Sequence, residues 1–196
     1  MRQIITTSLT LIFLMLAGAA SAGDCLRLCD DEFWKTQPTL SVVQSELNKG
    51  VDLSASGLSD LTPLHYAAIF ATPEHIQFLI KRGADLEAKT PSHKSSVTGK
   101  RTPLHYEARY TRNVENVITL IEAGANINAR ASSGYTPLML AVRRQNAEVV
   151  NILLDAGANA QLRNRRKEIA FDYARGKPEW IDHLSTYKRL KAASGE

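Results

Sequence analysis

The sequence predicts an all-helical solenoid, a stack of about five helix-turn-helix units whose terminal units act as caps. The first observation is a recurring sequence motif, here called the repeat phrase. It begins Thr-Pro-Leu at Thr62, Thr102 and Thr136, and a degenerate copy lies at residues 169–175. The second is a Gly-Ala step that follows these three phrases by 21 or 22 residues, at Gly83, Gly124 and Gly157. A recurring period near 33 residues is typical of repeats that bury their apolar faces by stacking.

Each phrase predicts the start of the first helix of a unit. The threonine hydroxyl can cap free amides, and proline is tolerated at the first helical position because its missing N–H would be unpaired anyway. Leu64 and Ala67 then fall on one face. The second helices carry larger apolar residues, such as Ile76, Leu79 and Ile80. They should end at the glycines, where a left-handed residue is favourable.

The terminal units depart from the phrase, as capping repeats commonly do because one of their faces meets water. Residues 31–52 predict a helix pair that lacks Thr-Pro. At the other end, residues 169–174 replace the phrase, and the segment around Pro178 predicts the start of a last helix. Trp180, Ile181 and Leu184 of that helix are expected to seal the stack.

The phrase and its period resemble the ankyrin repeat, over nearly all of residues 31–193. The resemblance implies units at about residues 31–56, 57–89, 90–130, 131–163 and 164–193. The third unit departs from the family pattern. Thr62 and Thr102 are 40 residues apart, with the excess within residues 89–101, and Glu107 replaces the first of the paired alanines.

The resemblance also implies where a partner would bind. Ankyrin proteins hold partners in a concave groove lined by the hairpin loops and the exposed side of the first helices. The equivalent positions within each repeat of this chain give the expected partner-binding residues. They are Leu61, Ile69, Phe70, Arg101, Arg109, Tyr110, Tyr135, Arg143, Arg144 and Arg165. Loop positions further out include Lys89, Arg130, Arg163 and Arg166.

Arginine and tyrosine dominate this set, and both are over-represented among interface anchors. Guanidinium groups also suit bidentate contacts with carboxylates. We therefore expect a monomeric, non-catalytic adaptor or inhibitor that binds a protein with an acidic segment beside an apolar one. The alternative is that these arginines form only a solvated face that keeps the protein soluble.

The overall charge argues against a nucleic-acid partner. The chain has 24 Lys and Arg against 20 Asp and Glu, a formal net charge of +4, which is too mild to indicate nucleic acid on its own. The basic run at residues 163–167 has no aromatic platform organised around it. We expect no nucleic acid to bind.

The first 22 residues predict a secretory signal. Arg2 supplies a positive start, residues 9–16 are apolar, and residues 20–22 fit the small-residue cleavage pattern. The apolar run is far shorter than the ~20 residues that a membrane-spanning helix needs. Asp24 directly before Cys25 departs from a lipoprotein signal. We expect a periplasmic or secreted protein with no stable membrane anchor after cleavage.

The only two cysteines, Cys25 and Cys29, lie in the segment 23–30. Exported compartments are oxidising, which favours a disulfide. Residues four apart on a regular helix hold their Cβ atoms about 5 to 6 Å apart, whereas a disulfide needs roughly 3.8 Å. The pair therefore predicts a turn, with Asp30 or Asp31 capping a helix after it. A thiol-dependent redox or oxidative-stress accessory role is the alternative, although the spacing is not Cys-x-x-Cys.

Signals for chemistry are sparse. The sequence has no Gly-x-Ser-x-Gly elbow, no Gly-rich phosphate loop and no His-Glu-x-x-His pattern. His65 and His105 belong to the repeat phrase, where the family's imidazole ties one loop to the next by hydrogen bonds. We expect no enzymatic activity, no cofactor and no metal site, with a hydrolase hidden in the scaffold as a third alternative.

Overall fold

The computed structural model describes residues 25–57, 59–91 and 99–196. The predicted signal at residues 1–22 and residues 92–98 of the insertion lie outside the described residues. Within the described ranges all regular secondary structure is helical. The predicted all-α solenoid is confirmed.

The described part of the chain contains nine α-helices and three 3₁₀ helices. The α-helices are α1 (Asp31–Lys35), α2 (Leu40–Leu47), α3 (Pro63–Phe70), α4 (Pro73–Lys81), α5 (Pro103–Tyr110), α6 (Val114–Glu122), α7 (Pro137–Arg143), α8 (Ala147–Asp155) and α9 (Leu184–Ala193). The 3₁₀ helices are Leu26–Cys29, Ala170–Tyr173 and Pro178–His183.

The helices form two layers. The first helices α1, α3, α5 and α7 follow one another, and the 3₁₀ helix Ala170–Tyr173 packs against α7 at the end of this layer. The second helices α2, α4, α6, α8 and α9 contact one another in the same order. Each unit therefore touches mainly its neighbours, as expected for a stack that grows in one direction.

The helix boundaries follow the predicted signals. Proline occupies the first position of α3, α5 and α7. The hydroxyl of Thr136 accepts a hydrogen bond from Met139 N at 3.3 Å. Just after α4, α6 and α8, Gly83, Gly124 and Gly157 adopt φ values of 95°, 94° and 87°, the left-handed conformation that glycine adopts without a steric penalty.

The hydrophobic core runs continuously between the layers. Leu64, Leu104 and Leu138, the leucines of the three good phrases, are at most 1% exposed. Ala67 and Ala68 are fully buried, and their small side chains let neighbouring helices approach closely. The regular alternation of large and small apolar residues thus fills the space between units.

The N-terminal cap is held by a disulfide and by side-chain hydrogen bonds. Cys25 and Cys29 are bonded, with Cα atoms 5.6 Å apart, across a single 3₁₀ turn. Asp30 caps α1 by accepting from Glu32 N at 3.1 Å. Trp34 is fully buried and donates from Nε1 to the carbonyl oxygen of Leu28 at 2.9 Å. The predicted turn, disulfide and N-cap are confirmed.

The C-terminal cap differs from the prediction in two respects. The segment from Pro178 forms a 3₁₀ helix, and the last α-helix begins only at Leu184. Trp180 seals the stack as predicted, at 1% exposure, but Leu184 is 53% exposed. Because α9 buries Thr186 and Leu190, a residue two positions before Thr186 lies on the opposite side of the helix. Leu190 takes the sealing role that was assigned to Leu184.

Candidate functional site

Two buried histidines fix the loops that carry candidate site residues. The ring Nε2 of His65 donates to the carbonyl oxygen of Arg101 at 2.9 Å, and Nδ1 accepts from Thr62 N at 3.3 Å. His105 repeats this arrangement one unit later, donating from Nε2 to the carbonyl oxygen of Tyr135 at 3.0 Å. Each unit thus positions the residue that precedes the next unit's phrase, as the repeat phrase implied.

These two histidines are neutral near pH 7. Both rings are fully buried. Burial lowers the pKa of each imidazole to about 4, and this effect outweighs the hydrogen bond to a carbonyl oxygen, which raises the pKa. Burial has this effect because it penalises the charged imidazolium. Their role is structural, since both ring nitrogens are occupied by hydrogen bonds within the protein.

The loops and first helices of three units enclose a pocket of about 350 Å³, here called the arginine pocket. It is lined by Arg101, Arg109, Ser133, Tyr135, Arg143, Asn164, Arg165 and Arg166. Five of the ten residues predicted to bind a partner therefore line one concavity: Arg101, Arg109, Tyr135, Arg143 and Arg165.

Three of the five guanidinium groups of the arginine pocket, those of Arg101, Arg109 and Arg143, lie over tyrosine rings. Arg143 lies 5.1 Å from the ring centroid of Tyr135 and 5.5 Å from that of Tyr173. Arg109 lies 5.1 Å from the centroid of Tyr110. Stacking of this kind is favourable because the face of an aromatic ring attracts a cation. It also restricts the guanidinium to a defined orientation.

The three central cations are not neutralised by nearby acids. Within the described residues, no carboxylate lies within 4.0 Å of the guanidinium of Arg101, Arg109 or Arg143. Arg101 is only 6% exposed, and burial lowers its pKa, with the positive charges of Arg109 and Arg143 acting in the same direction. The Nε atoms of Arg101 and Arg109 are buried and have no hydrogen-bond partner.

A polar network forms one wall of the arginine pocket. Asn164 Nδ2 donates to Glu168 Oε2 at 2.8 Å, and the hydroxyl of Tyr173 also donates to this oxygen. The Tyr173 hydroxyl lies 3.0 Å from that of Tyr135. The hydrogen bonds from Asn164 and then Tyr173 lower the pKa of Glu168, so this carboxylate is ionised at neutral pH. Its hydrogen bonds come from Asn164 and Tyr173, and the charges of Arg166 and Arg143 act on it in the same direction with smaller effect.

The remaining predicted residues lie elsewhere. Arg144 is exposed and lines a separate concavity of about 180 Å³ with Arg109 and Tyr110. Tyr110 is 42% exposed. Ile69 and Phe70 are half-buried on α3 and do not line the arginine pocket.

Leu61, a residue predicted to bind a partner, lies in the hydrophobic core. Its side chain is 7% exposed and belongs to the hydrophobic core. The position precedes a repeat phrase just as Arg101 and Tyr135 do. The apolar side chain of Leu61 packs into the core, whereas the similarly buried Arg101 lines a concavity.

Two of the loop arginines have structural roles that the sequence analysis missed. Arg130 donates from Nη2 to the carbonyl oxygen of Arg163 in the next unit's loop. Arg163 in turn donates from Nη1 to the carbonyl oxygen of Lys167 at 2.7 Å. These arginines connect and brace the loops that form the arginine pocket.

Asn164, Ser133 and Tyr173 are site residues that were not predicted. Asn164 is one repeat period, 33 residues, after Ala131, so phase alone could have placed it in a hairpin loop. The amide of Asn164 bridges Glu168 and Tyr173. Comparison with the equivalent residue Ala131 could not have shown this, because alanine has no polar side chain. Ser133 lies in the hairpin loop of the preceding unit.

The cysteine pair offers no support for a redox site. Cys25 and Cys29 are 5% and 8% exposed and bonded to each other. Asp30 and Asp31 line the concavity beside the disulfide, and nearby carboxylates disfavour the thiolate that redox chemistry requires. The disulfide fastens the N-terminal cap.

The described ranges also bear on metal binding and on membrane insertion. No group of three or more His, Cys, Asp or Glu side chains there is arranged to hold a metal ion. In the same ranges no helix has the length and apolar character needed to cross a bilayer.

Comparison with known protein families identifies the repeats. A model of three ankyrin repeats matches residues 90–164, and a model of a single ankyrin repeat matches residues 60–88. Together these matches cover the three units with the Thr-Pro-Leu phrase and reach into the last unit.

Several curated proteins share this similarity. The chain is 30% identical over 155 residues to the B-cell lymphoma 3 protein homolog of Mus musculus, covering 79% of this chain and 33% of that protein. It is 33% identical over 113 residues to ankyrin repeat and SOCS box protein 11 of Mus musculus, covering 58% and 32%. It is 39% identical over 75 residues to the mitochondrial disaggregase of Bos taurus, covering 38% and 10%. The chain thus spans a third or less of the length of these relatives.

Proposed function

Because this chain belongs to the ankyrin-repeat family, we propose that it is a non-catalytic protein that binds a protein partner along one groove. The groove is the surface formed by α3, α5 and α7 together with the described residues directly before them, Leu61, Arg101 and Tyr135. Ankyrin repeats are interaction modules and are generally not catalytic. The partner's acidic segment lies against Arg109 and Arg143, and its apolar segment lies towards Ile69 and Phe70.

The observation that carries this proposal is the set of arginines stacked on tyrosine in the groove without a carboxylate of the described residues within 4.0 Å. A charged group held in one orientation loses little conformational entropy when it binds. Arginine and tyrosine are also the residue types that most often dominate interface energetics. An arginine face that served only solubility would require no such packing.

The apolar part of the groove supports the second half of the proposal. Ile69 and Phe70 are half-buried at the end of α3, and Arg112 lies 5.2 Å from the Phe70 ring centroid. Tyr110, at the end of the next first helix, is 42% exposed. A partner segment that crosses from α3 to α7 therefore meets aromatic and aliphatic surface first and cationic surface next.

The proposal places the protein, as a monomer, in the periplasm or outside the cell. The support is the signal pattern of residues 1–22 and the disulfide between Cys25 and Cys29, since such bonds persist in oxidising compartments. Fractionation of the producing cells tests this placement. A mature protein in the exported fraction, lacking about 22 residues by mass, supports it, whereas a full-length reduced protein in the cytoplasm contradicts it.

The binding proposal is tested by affinity capture from the exported fraction. The baits are the mature protein, the double variant Arg109→Ala/Arg143→Ala, and Lys81→Ala. Lys81 is exposed on α4 in the other layer, so its variant controls for loss of charge away from the groove. We expect a partner that the mature protein and the control retain and the double variant loses. Capture of the same partner by all three baits would contradict the proposed groove.

A further inference from the structure

The arginine pocket holds more positive charge than the protein around it balances. Five arginines line it, against one carboxylate in its wall, Glu168, which leaves a net charge of +4. Glu168 already accepts hydrogen bonds from Asn164 and Tyr173. A second acid within the described wall is absent. Clustered cations in a confined space repel one another, and this repulsion is relieved by a bound anion.

The donors in this pocket are arranged for a specific type of anion. The Nε atoms of Arg101 and Arg109 are buried without hydrogen-bond partners among the described residues, and Arg101 is 6% exposed. Buried donors are normally satisfied by a protein group, a bound water or a ligand, so these two donors are candidates for a partner group. Nε and the adjacent Nη form the side of a guanidinium that binds a carboxylate through two parallel hydrogen bonds. Two such arginines can bind two carboxylates.

The tyrosines around the pocket disfavour single-stranded nucleic acid as the occupant. Base stacking requires an open aromatic face. The ring of Tyr135 is packed against Arg143 and against Tyr173, whose centroid is 5.8 Å away. Tyr106 and Tyr110 stack on each other at 6.2 Å. The volume of about 350 Å³ accepts a few side-chain groups.

We propose that the arginine pocket is an anchor for two neighbouring carboxylates of a protein segment, bound through Arg101 and Arg109 with Arg143 as the third cation. This inference rests on the proposed function and adds the chemistry of the partner to it. The partner's recognition element is then a pair of adjacent Asp or Glu residues. A single acid satisfies only one of the two free Nε edges.

Nuclear magnetic resonance of arginine side chains tests the inference directly. The ¹⁵N-labelled mature protein is titrated with the peptide acetyl-Gly-Ser-Glu-Glu-Ser-Gly-amide. We expect the Nε–Hε resonances of Arg101 and Arg109 to shift most. The matched Gln-Gln peptide should leave them unshifted, and a peptide in which glycines separate the two glutamates should bind at least about fivefold more weakly. Equal shifts with all three peptides would overturn the inference.

Inorganic phosphate provides the competing probe. If phosphate shifts the same resonances at concentrations as low as the Glu-Glu peptide, the pocket is a general oxyanion site and the inference is wrong. If a single-stranded oligonucleotide displaces the peptide and binds more tightly, the inference is also wrong. Weaker binding of both probes supports it.

Variants identify the contributing cations. Arg109→Gln and Arg143→Gln should each raise the Kd of the Glu-Glu peptide by about tenfold or more, because each removes a charge-assisted contact. Arg143→Lys should recover only part of the loss, since lysine lacks the planar fork. The control Lys81→Gln should stay within about twofold, consistent with a distant exposed charge. Unchanged binding by both arginine variants would refute the assignment.

Failure of this inference is distinguishable from failure of the proposed function. If the peptides do not bind but capture of a partner still depends on Arg109 and Arg143, the groove binds a protein through another chemistry. If the Glu-Glu peptide binds and no partner is captured in any fraction, the anchor is upheld while the proposed function is not.

Discussion

The ring nitrogen Nε2 of His65 lies 2.9 Å from the carbonyl oxygen of Arg101, a residue 36 positions later in the chain. This hydrogen bond joins the second unit to the third and also fixes the backbone of an arginine in the candidate site. Stability and site geometry are therefore coupled at one contact. His105 and Tyr135 form the corresponding contact in the next unit.

The two buried histidines predict an acid-sensitive fold. Their pKa values of about 4 lie below the ordinary histidine value of 6.5, so the unfolded chain binds more protons than the native state between these values. Stability should decline as the pH falls from 6.5 to 4, by about 3 kcal/mol for each histidine. Urea unfolding at several pH values measures this slope. His65→Gln should lower stability and remove about half of the slope. A slope unchanged in this variant would contradict the assignment.

Glu107 predicts a second dependence of stability on pH, opposite in sign to that of the histidines. It is fully buried on α5, neither carboxyl oxygen has a hydrogen-bond partner in the described part of the chain, and burial raises its pKa to about 8. Between pH 4.5, the ordinary pKa of glutamate, and about pH 8, the native state therefore binds one proton more than the unfolded chain. Stability due to this group should fall as the pH rises through that window, by as much as about 5 kcal/mol. Together with the histidines, this places maximum stability near pH 6.5.

Replacement of Glu107 tests this assignment. Glu107→Ala restores the small residue found at the equivalent position Ala67 and should stabilise the protein at pH 8 by at least about 1 kcal/mol. The variant should also abolish the decline in stability between pH 6.5 and 8. Glu122→Ala removes an exposed carboxylate from α6 and should leave that decline intact. Destabilisation by Glu107→Ala at pH 8 would show that the carboxylate makes a favourable interaction.

Gly134 and Gly157 can be compared as positions for an added Cβ atom. Only Gly134 lies close to the loops of the arginine pocket. Both have positive φ, 76° and 87°. A Cβ at Gly134 would lie 3.1 Å from Arg130 Nη2, Arg165 N and Asn164 Cα, whereas at Gly157 nothing lies within 4 Å. Gly157→Ala should cost about 1 kcal/mol from backbone conformation alone. Gly134→Ala should cost about 1 kcal/mol more and weaken partner binding. Equal thermal shifts in the two variants would contradict the close contact.

The disulfide predicts a stability effect without a binding effect. It closes a loop of only five residues, Cys25 to Cys29, for which chain entropy gives about 2 kcal/mol. A reducing agent should lower the Tm of the mature protein but not that of Cys25→Ser/Cys29→Ser. Partner binding should be the same for both proteins. Loss of binding on reduction at a temperature where the fold is intact would return the cysteines to a functional role.

Most of the fold could be predicted from the sequence because its signals are local. Thr-Pro marks the start of α3, α5 and α7, and glycine follows the second helices, each for a reason contained in a few residues. The C-terminal cap could not be predicted in this way. The helical register that exposes Leu184 and buries Leu190 depends on where α9 begins, and a 3₁₀ helix delays that start by six residues.

The candidate site could be predicted only in part. The position of a residue within the repeat locates its backbone but does not determine where its side chain points. Leu61 and Arg101 are equivalent in phase, yet Leu61 packs into the core and Arg101 lines the pocket. Arg143 and Arg144 are neighbours at the end of a helix, where successive side chains are about 100° apart. Only Arg143 lines the arginine pocket.

The groove as the binding surface is tested most directly by site-specific photocrosslinking. A benzophenone amino acid replaces Tyr110, which is 42% exposed beside Arg109, or Lys81 on the opposite layer. We expect position 110 to crosslink to a partner segment that contains adjacent acidic residues. We expect no crosslink from position 81. Crosslinks from position 81 with none from position 110 would contradict it.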